Sequence, residues 1–440
     1  MQVHITMSPG ERAFLHRSET VATAMILKSL TLTNFRGIRD LRLDFSAKVN
    51  LLAGVNGAGK TAILDCAAIM LSRLVGRIRS TSGTGRFFSE YDITNGMSET
   101  RCAVETLFKD HLVSWSVAKT RRGRKKQSIT GLGEVKTVVG FIHTRLEEDE
   151  LFEVPIAVYY PTNRAVVDIP LRIRKTHPFD RLSAYDQALS GKWRSFRVFF
   201  EWFRDREDLE NERRLESADF RDRELQAVRI AVEQFIPGFS GLRIRRSPLR
   251  MVVDKCGQEL RIDQLSDGEK CTLAMVGDLA RRMAIANPTL QDPLVGKGVV
   301  LIDEVDLHLH PGWQRHVVSA LEETFPNCQF LVSTHSPQII SHVAPERIWI
   351  LDRTKSGVSA SRPDASFGQM AGRILEDVMD VPERPQEIKE RLSDLFLAIQ
   401  RDELPAAKQL VSDLRSTIGE DPDLVRARMH IRRKEALRGL

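Results

Sequence analysis

The octapeptide Gly54-Val-Asn56-Gly57-Ala58-Gly59-Lys60-Thr61 constrains the fold of this chain more than any other segment. It matches GxxxxGK[ST] and sits between two apolar runs. Val49–Ala53 before it reads as a short buried strand, and Thr61–Val75 after it, rich in Ala, Ile, Leu and Met, reads as a buried helix. In that context consecutive backbone N–H groups turn inward and surround a row of phosphates. Gly54, Asn56, Gly57, Ala58 and Gly59 are therefore candidate nucleotide-binding positions. Lys60 is spaced to reach the β- and γ-phosphates, and the Thr61 hydroxyl to ligate Mg²⁺. The helix N-terminus adds favourable dipole charge. A chance glycine turn with an incidental lysine would need neither flanking element.

Strand-like runs at Val299–Ile302, Gln329–Ser333 and Arg347–Leu351 alternate with helical segments, the rhythm of a parallel α/β sheet. The first ends in Asp303-Glu304. Asp303 would hold Mg²⁺ through water, and Glu304 would orient or deprotonate an attacking water, as phosphoryl transfer requires. Taken alone, the same pair could simply cap a core strand. Alternating patterns at Ile26–Leu32, Leu41–Phe45, Cys102–Leu107 and His111–Lys119 predict further strands, and Glu153–Tyr160 a buried one. Thr120–Lys126 is a basic run, expected in a hairpin loop. Trp193–Phe239 reads as helical, with charged residues over Arg204–Arg223 expected on a protruding pair. Leu242–Arg245, Met251–Val253 and Leu260–Ile262 return to strand patterns. Glu383–Arg401, Leu404–Ile418 and Pro422–Leu437 predict three amphipathic tail helices.

At 440 residues the chain is expected to hold more than one structural unit. No apolar run approaches the roughly eighteen residues that span a bilayer, and Met1–Thr23 lacks the apolar stretch of a secretory signal. Five scattered cysteines without CxxC pairs indicate neither a zinc site nor a disulfide framework, and fit a reducing cytoplasm. A net charge of +6 permits contact with nucleic acid without requiring it.

Leu265-Ser266-Asp267-Gly268-Glu269-Lys270 resembles the ABC signature usually written LSGGQ, with Asp267 and Glu269 as acidic departures. The resemblance implies that Ser266 and the backbone at Gly268 meet the γ-phosphate held by a second subunit, and the acids argue for slow turnover. Asp306-Leu-His308-Leu-His310-Pro311 falls where the family has its D-loop; its two alternate histidines lack a third metal ligand. Phe330-Leu-Val-Ser-Thr334-His335-Ser336-Pro337 places His335 as the switch histidine against the γ-phosphate. Asn34-Phe35-Arg36-Gly37 resembles the segment that opens the heads of recombination and chromosome-maintenance ATPases, and Arg36 would approach the nucleotide. Phe88-Ser-Glu90-Tyr-Asp92-Ile falls near the expected Q-loop but has no glutamine, which leaves that position open.

Together GVNGAGKT, LSDGEK, VVLIDEVDLHLHP and LVSTHSPQII resemble ABC-type ATPases of the recombination/overcoming-lysogenisation branch. Within it the chain is most similar to the ATPase subunits of Septu-type and retron-associated antiphage systems. Tyr159-Tyr-Pro-Thr-Asn163-Arg164, Met275-Val-Gly-Asp278-Leu, Phe325-Pro-Asn-Cys-Gln329-Phe and Val381-Pro-Glu-Arg-Pro385 carry that narrower resemblance. The implied architecture is an α/β ABC ATPase head, a P-loop parallel sheet plus an antiparallel β lobe, with a helical insertion and a small helical C-terminal module. The expected boundaries are an N-terminal extension over 1–24, a head over 25–366 containing the insertion 190–240, and a tail over 367–440. The resemblance further implies ATP and Mg²⁺ as cofactors, head-to-head dimers in the cytoplasm, and no membrane. The implied partner is an HNH nuclease encoded nearby, with nucleic acid reached through the complex. Glu376, Asp377 and Asp380 lack the glycine-ended strands of a Toprim nuclease, so this chain is expected to cut nothing itself. Two other readings compete: a DNA-repair ATPase gripping duplex DNA on Arg121–Lys126 and Arg243–Arg246, and a nucleotide switch that does not hydrolyse.

Overall fold

The computed structural model describes residues 25–124, 128–149, 152–163, 180–191, 195–355, 357–379 and 381–438. The expected extension over 1–24, Arg164, Lys125, Lys126, Trp193 and Asp380 lie outside the described residues. The chain divides into two compact units, Met1–Gln369 and Met370–Leu440.

In the first unit, alternating sequence folds into an antiparallel sheet of β1 (Met25–Phe35), β2 (Ile38–Asp44), β4 (Glu99–Phe108) and β5 (His111–Thr120), ordered β2-β1-β4-β5. Continuous apolar sequence folds into the second sheet, built from β3 (Val49–Ala53), β6 (Ile156–Tyr160), β10 (Gly298–Ile302), β11 (Cys328–Thr334), β12 (Ile348–Thr354) and β13 (Gly357–Ser361). Its order is β13-β12-β3-β11-β10-β6, with every pairing parallel except β12 with β13. Residues of β3, β6, β10 and β11 are buried throughout, as parallel strands covered on both faces must be. Buried Gln329 ties the two sheets together: its side chain accepts from Leu27 N at 2.8 Å and donates to Leu27 O at 2.8 Å and Ser46 O at 2.7 Å.

A third sheet, β7 (Phe239–Arg246), β8 (Leu249–Lys255) and β9 (Gln258–Arg261), follows the predicted strand signals and leads into the helix Asp267–Ala286. That helix carries a buried charge cluster. Asp278 accepts from Arg281 at 2.8 Å, Arg282 at 2.7 Å and the Tyr160 hydroxyl at 3.2 Å. Asp278, within the buried Met275–Leu279 segment, is thus paired, as a buried carboxylate must be, since an isolated one would be strongly disfavoured.

The predicted helical stretch is two helices, Ser195–Glu216 and Arg223–Phe235. Phe196, Phe199, Phe200, Trp202 and Phe203 are all buried. The charged run differs from a solvated protrusion: Glu207, Glu210 and Asp222 are buried and bound by Arg229 and Arg206. A further helix, Gly133–Glu148, arises where the sequence reading placed no element. It buries Val135, Val138, Val139 and Ile142, one face at helical spacing.

In the second unit Gln386–Gln400, Leu404–Ile418 and Pro422–Arg438 form three helices around Leu395, Ala407, Leu414, Leu424 and Ala427. Among the described residues no helix is long and apolar enough to cross a membrane.

Candidate active site

Parallel pairing places the carboxyl ends of β3, β11 and β10 side by side, with Ala53 opposite Thr334 and Ile302 opposite Val332. Three motifs far apart in sequence thereby share one edge. The phosphate loop leaves β3, His335 leaves β11 between them, and Asp303-Glu304 leaves β10. Gly54 begins the turn at φ 144°, and a Cβ there would stand 2.4 Å from the Leu351 carbonyl oxygen of β12. Only glycine accommodates both the backbone angle and that approach.

Asn56, Gly57, Gly59, Lys60, Thr61, Glu304 and His335 line one cavity of about 320 Å³. Ala58 is fully buried beneath the loop. Lys60 Nζ donates to Gly54 O at 2.8 Å and Val55 O at 3.1 Å, and stands 3.3 Å from His335 Nδ1. Burial pulls the Lys60 ammonium down to about 8, against the opposing pull of Asp303, Glu304 and Asp306. Burial and the neighbouring Lys60 charge also lower His335, against the opposing pull of Asp306, Glu304 and Asp303, and so favour the neutral imidazole. A neutral ring can accept from Lys60 at Nδ1, which assigns the proton to Nε2, 4.0 Å from Glu304 Oε1.

The acids are held by a residue the sequence reading passed over. Buried Ser333 donates from Oγ to Asp303 Oδ1 at 2.5 Å and accepts from Glu304 N at 2.8 Å. Thr334 beside it donates to Asp306 Oδ1 at 2.6 Å. Glu304 itself sits at φ 48°, an uncommon angle for a residue with a side chain. Ser333 immediately precedes Thr334-His335, so its motif position was a usable signal. Gly37, Ile38, Arg353 and Val358 also line the cavity and were not predicted.

Asp303 is fully buried and does not itself line the cavity, and two further sequence-predicted groups lie elsewhere. Arg36 does not line the cavity; its guanidinium is bound by Asp65 and, at 2.9 Å, by Asp92. In the expected Q-loop segment, Asp92 is therefore a partner of Arg36, and Tyr91 is 95% exposed.

Ser266 and Gly268 also lie outside the cavity-lining set. Ser266 is the N-cap of Asp267–Ala286: its Oγ accepts from Glu269 N at 3.3 Å, and Glu269 accepts from Ser266 N at 3.0 Å. Although burial acts to raise it, the Glu269 carboxyl is held low by Lys255, 2.7 Å away, and by the Ser266 donors. Asp267 pairs with Lys270 at 3.4 Å. Both signature acids thus carry a cationic partner, which offsets the phosphate repulsion their sequence implies. A Cβ on Gly268 would stand 2.2 Å from His308 O, so the signature turn lies directly on the Asp306–His310 segment. There His310 Nδ1 accepts from Gly312 N at 3.2 Å and caps the next short helix.

Comparison with known proteins shows the family. A family model described as "AAA domain" matches residues 29–227, and one described as "AAA domain, putative AbiEii toxin, Type IV TA system" matches residues 163–341. The chain is 31% identical over 423 residues to "Retron Ec83 probable ATPase" of Escherichia coli, covering 81% of this chain and 77% of that protein. It is 30% identical over 412 residues to "Retron Vc95 probable ATPase" of Vibrio cholerae serotype O1 biovar El Tor, covering 82% and 80%. "Septu protein PtuA" of Bacillus thuringiensis is 23% identical over 384 residues, covering 82% and 85%. A solved SMC head bound to the C-terminal winged-helix domain of ScpA overlays with a TM-score of 0.45 at 17% identity, covering 77% of this chain and 97% of that one. With a phosphate loop, an acid pair and a histidine gathered at one sheet edge, and with relatives matched along most of its length, the chain belongs to the family of retron-associated and Septu-type ATPases.

Proposed function

We propose that this chain is the ATP-binding and hydrolysing regulatory subunit of a bacterial antiphage complex, works in the cytoplasm, and closes head to head around ATP. One observation carries the reading. Lys60, Thr61, Glu304 and His335 share a cavity, whereas Ser266, exposed at a helix N-terminus, lies outside it in the same chain. A second copy would bring its Ser266 to that cavity. The Ser266 Oγ accepts from Glu269 N, and its O–H, which helps hold the Glu269 carboxyl in the single chain, would turn to the phosphate.

The oxygen groups here suit a hard cation: Thr61 lines the cavity, and the buried Asp303 carboxylate, next to the cavity-lining Glu304, is oriented by Ser333. Bound there, Mg²⁺ would neutralise phosphate charge. Glu304 would orient or deprotonate the attacking water, and His335 would contact the γ-phosphate. Ser333→Ala is expected to slow hydrolysis about tenfold through loss of hydrogen bonds that each contribute about 1 kcal/mol, with ATP affinity retained. Steady-state phosphate release beside a nucleotide titration measures both. A proportional loss of affinity would mean that Ser333 supports the loop rather than the acids.

Ser266→Arg tests the shared site. In light scattering with ATP, the variant should remain monomeric while binding ATP as the wild type does. Dimers that persist with ATP would place the interface elsewhere. We further propose that the dimer's nucleotide state restrains or licenses an HNH nuclease partner, and that nucleic acid is reached through that partner. Co-purification with the product of a neighbouring HNH gene, with and without ATP, tests this.

The rival reading, a repair ATPase gripping duplex DNA, is disfavoured at Arg243, Arg245, Arg246 and Arg121 by the partners those arginines already hold. Arg243 is held by Asp254 at 2.7 Å, Arg245 by Glu259 at 2.6 Å, and Arg246 by Glu207 at 3.1 Å and Asp208 at 2.5 Å. Arg121 donates to the Met97 and Ile93 carbonyls. Cations already paired in this way have less to offer a phosphate backbone.

A further inference from the structure

Strand β12 continues where β3 stops. The last aligned pair is Ile350 with Ala53, after which β3 gives way to the phosphate loop and β12 runs on to Thr354. At about 3.3 Å per residue, Arg353 is carried roughly 10 Å past that pair, alongside the loop. It lines the cavity, with Nη1 4.0 Å from the position a Cβ on Gly57 would take. The return strand β13 fixes the hairpin: Arg353 is paired with Val358, whose side chain comes within 3.4 Å of the corresponding position on Gly59.

Arg353 is exposed and, among the described residues, makes no ion pair. Arg36 is the opposite case, its guanidinium shared by Asp65 and Asp92. We infer that Arg353, rather than Arg36, supplies the second cation of the nucleotide site and binds the polyphosphate chain of ATP beside Lys60. A guanidinium suits this role because its planar fork meets two phosphate oxygens at once. The inference rests on the reading of the cavity as an ATP site and adds a residue from a strand that carries none of the sequence motifs.

The test titrates the full chain with ATP, inorganic tripolyphosphate and adenosine, comparing wild type with Arg353→Ala, Arg353→Lys and Lys60→Ala. Arg353→Ala should weaken ATP and tripolyphosphate about tenfold, the order expected for a hydrogen bond to a charged group, and leave adenosine unchanged. Arg353→Lys should recover part of the loss, since it keeps the charge without the fork. Thermal melts confirm that this exposed substitution leaves the fold intact. Wild-type ATP affinity in Arg353→Ala, with binding lost in Lys60→Ala, overturns the inference and leaves the ATP site standing. Wild-type affinity in both removes the ATP site and the inference together. Weakened ATP binding without weakened tripolyphosphate binding assigns the guanidinium to the base and overturns the phosphate role.

Discussion

Lys60→Ala is expected to weaken ATP binding by about a hundredfold or more, because it removes a buried ammonium whose donors meet a polyanion. Hydrogen bonds to charged groups contribute about 1.5–3 kcal/mol each. Two phosphate contacts therefore amount to at least about two decades of affinity at 1.4 kcal/mol per decade. The residue also sets a pH dependence. Burial brings the ammonium to about 8, so it is protonated below that pH and increasingly neutral above it. ATP favours the protonated form. Wild-type affinity should therefore hold below pH 8 and decline as pH rises through it, whereas Lys60→Ala should show no such step. Nucleotide titrations of both proteins between about pH 6.5 and 9.5 measure this. Undiminished affinity in the alanine variant would remove the phosphate-loop assignment.

What was legible in the sequence was local. The phosphate loop could be read because its glycines, lysine and flanking apolar runs are contiguous, and Asp303-Glu304 because the acids end an unbroken apolar strand. His335 was legible for the same reason at the end of β11. None of these strings states that β3, β11 and β10 are neighbours; that comes from the sheet order.

The unread part of the cavity comes from the same cause. Arg353 and Val358 reach it because β12 pairs with β3 across nearly 300 residues of sequence, and an exposed arginine in a short hairpin carries no pattern. Arg36 illustrates the converse. Its motif was visible, but Asp65 and Asp92, which determine what its guanidinium does, lie 29 and 56 residues away. The charged run Arg204–Arg223 reads as a protruding helical pair because charge is usually exposed, yet Arg229 and Arg206 give Glu207, Glu210 and Asp222 buried partners. Gly133–Glu148 was missed although Val135, Val138, Val139 and Ile142 show the spacing. Three valines and Gly140 lower its helical propensity, and packing overrides that.

Glu304→Gln separates hydrolysis from nucleotide binding. The substitution keeps the size of the side chain and its place in the cavity, and leaves the backbone N–H to Ser333 Oγ intact. It removes only the capacity to accept a proton as a carboxylate. General-base groups contribute typically about 10²–10⁴-fold to rate, so phosphate release should fall by about that factor while ATP affinity changes little. If the proposed closed dimer forms, a protein that binds ATP without consuming it should also accumulate in it, seen in light scattering as a lasting dimer where the wild type reverts. Equal phosphate release from wild type and variant would deny Glu304 its role and favour a switch that only binds. The backbone at Glu304 sharpens the expectation. A φ of 48° persists only where surrounding contacts determine it, here the Ser333 bond and burial of Asp303 and Val305 on either side. That constraint fixes where the carboxylate can point, so Glu304→Asp, one methylene shorter on the same backbone, should lose most of the rate although it remains an acid.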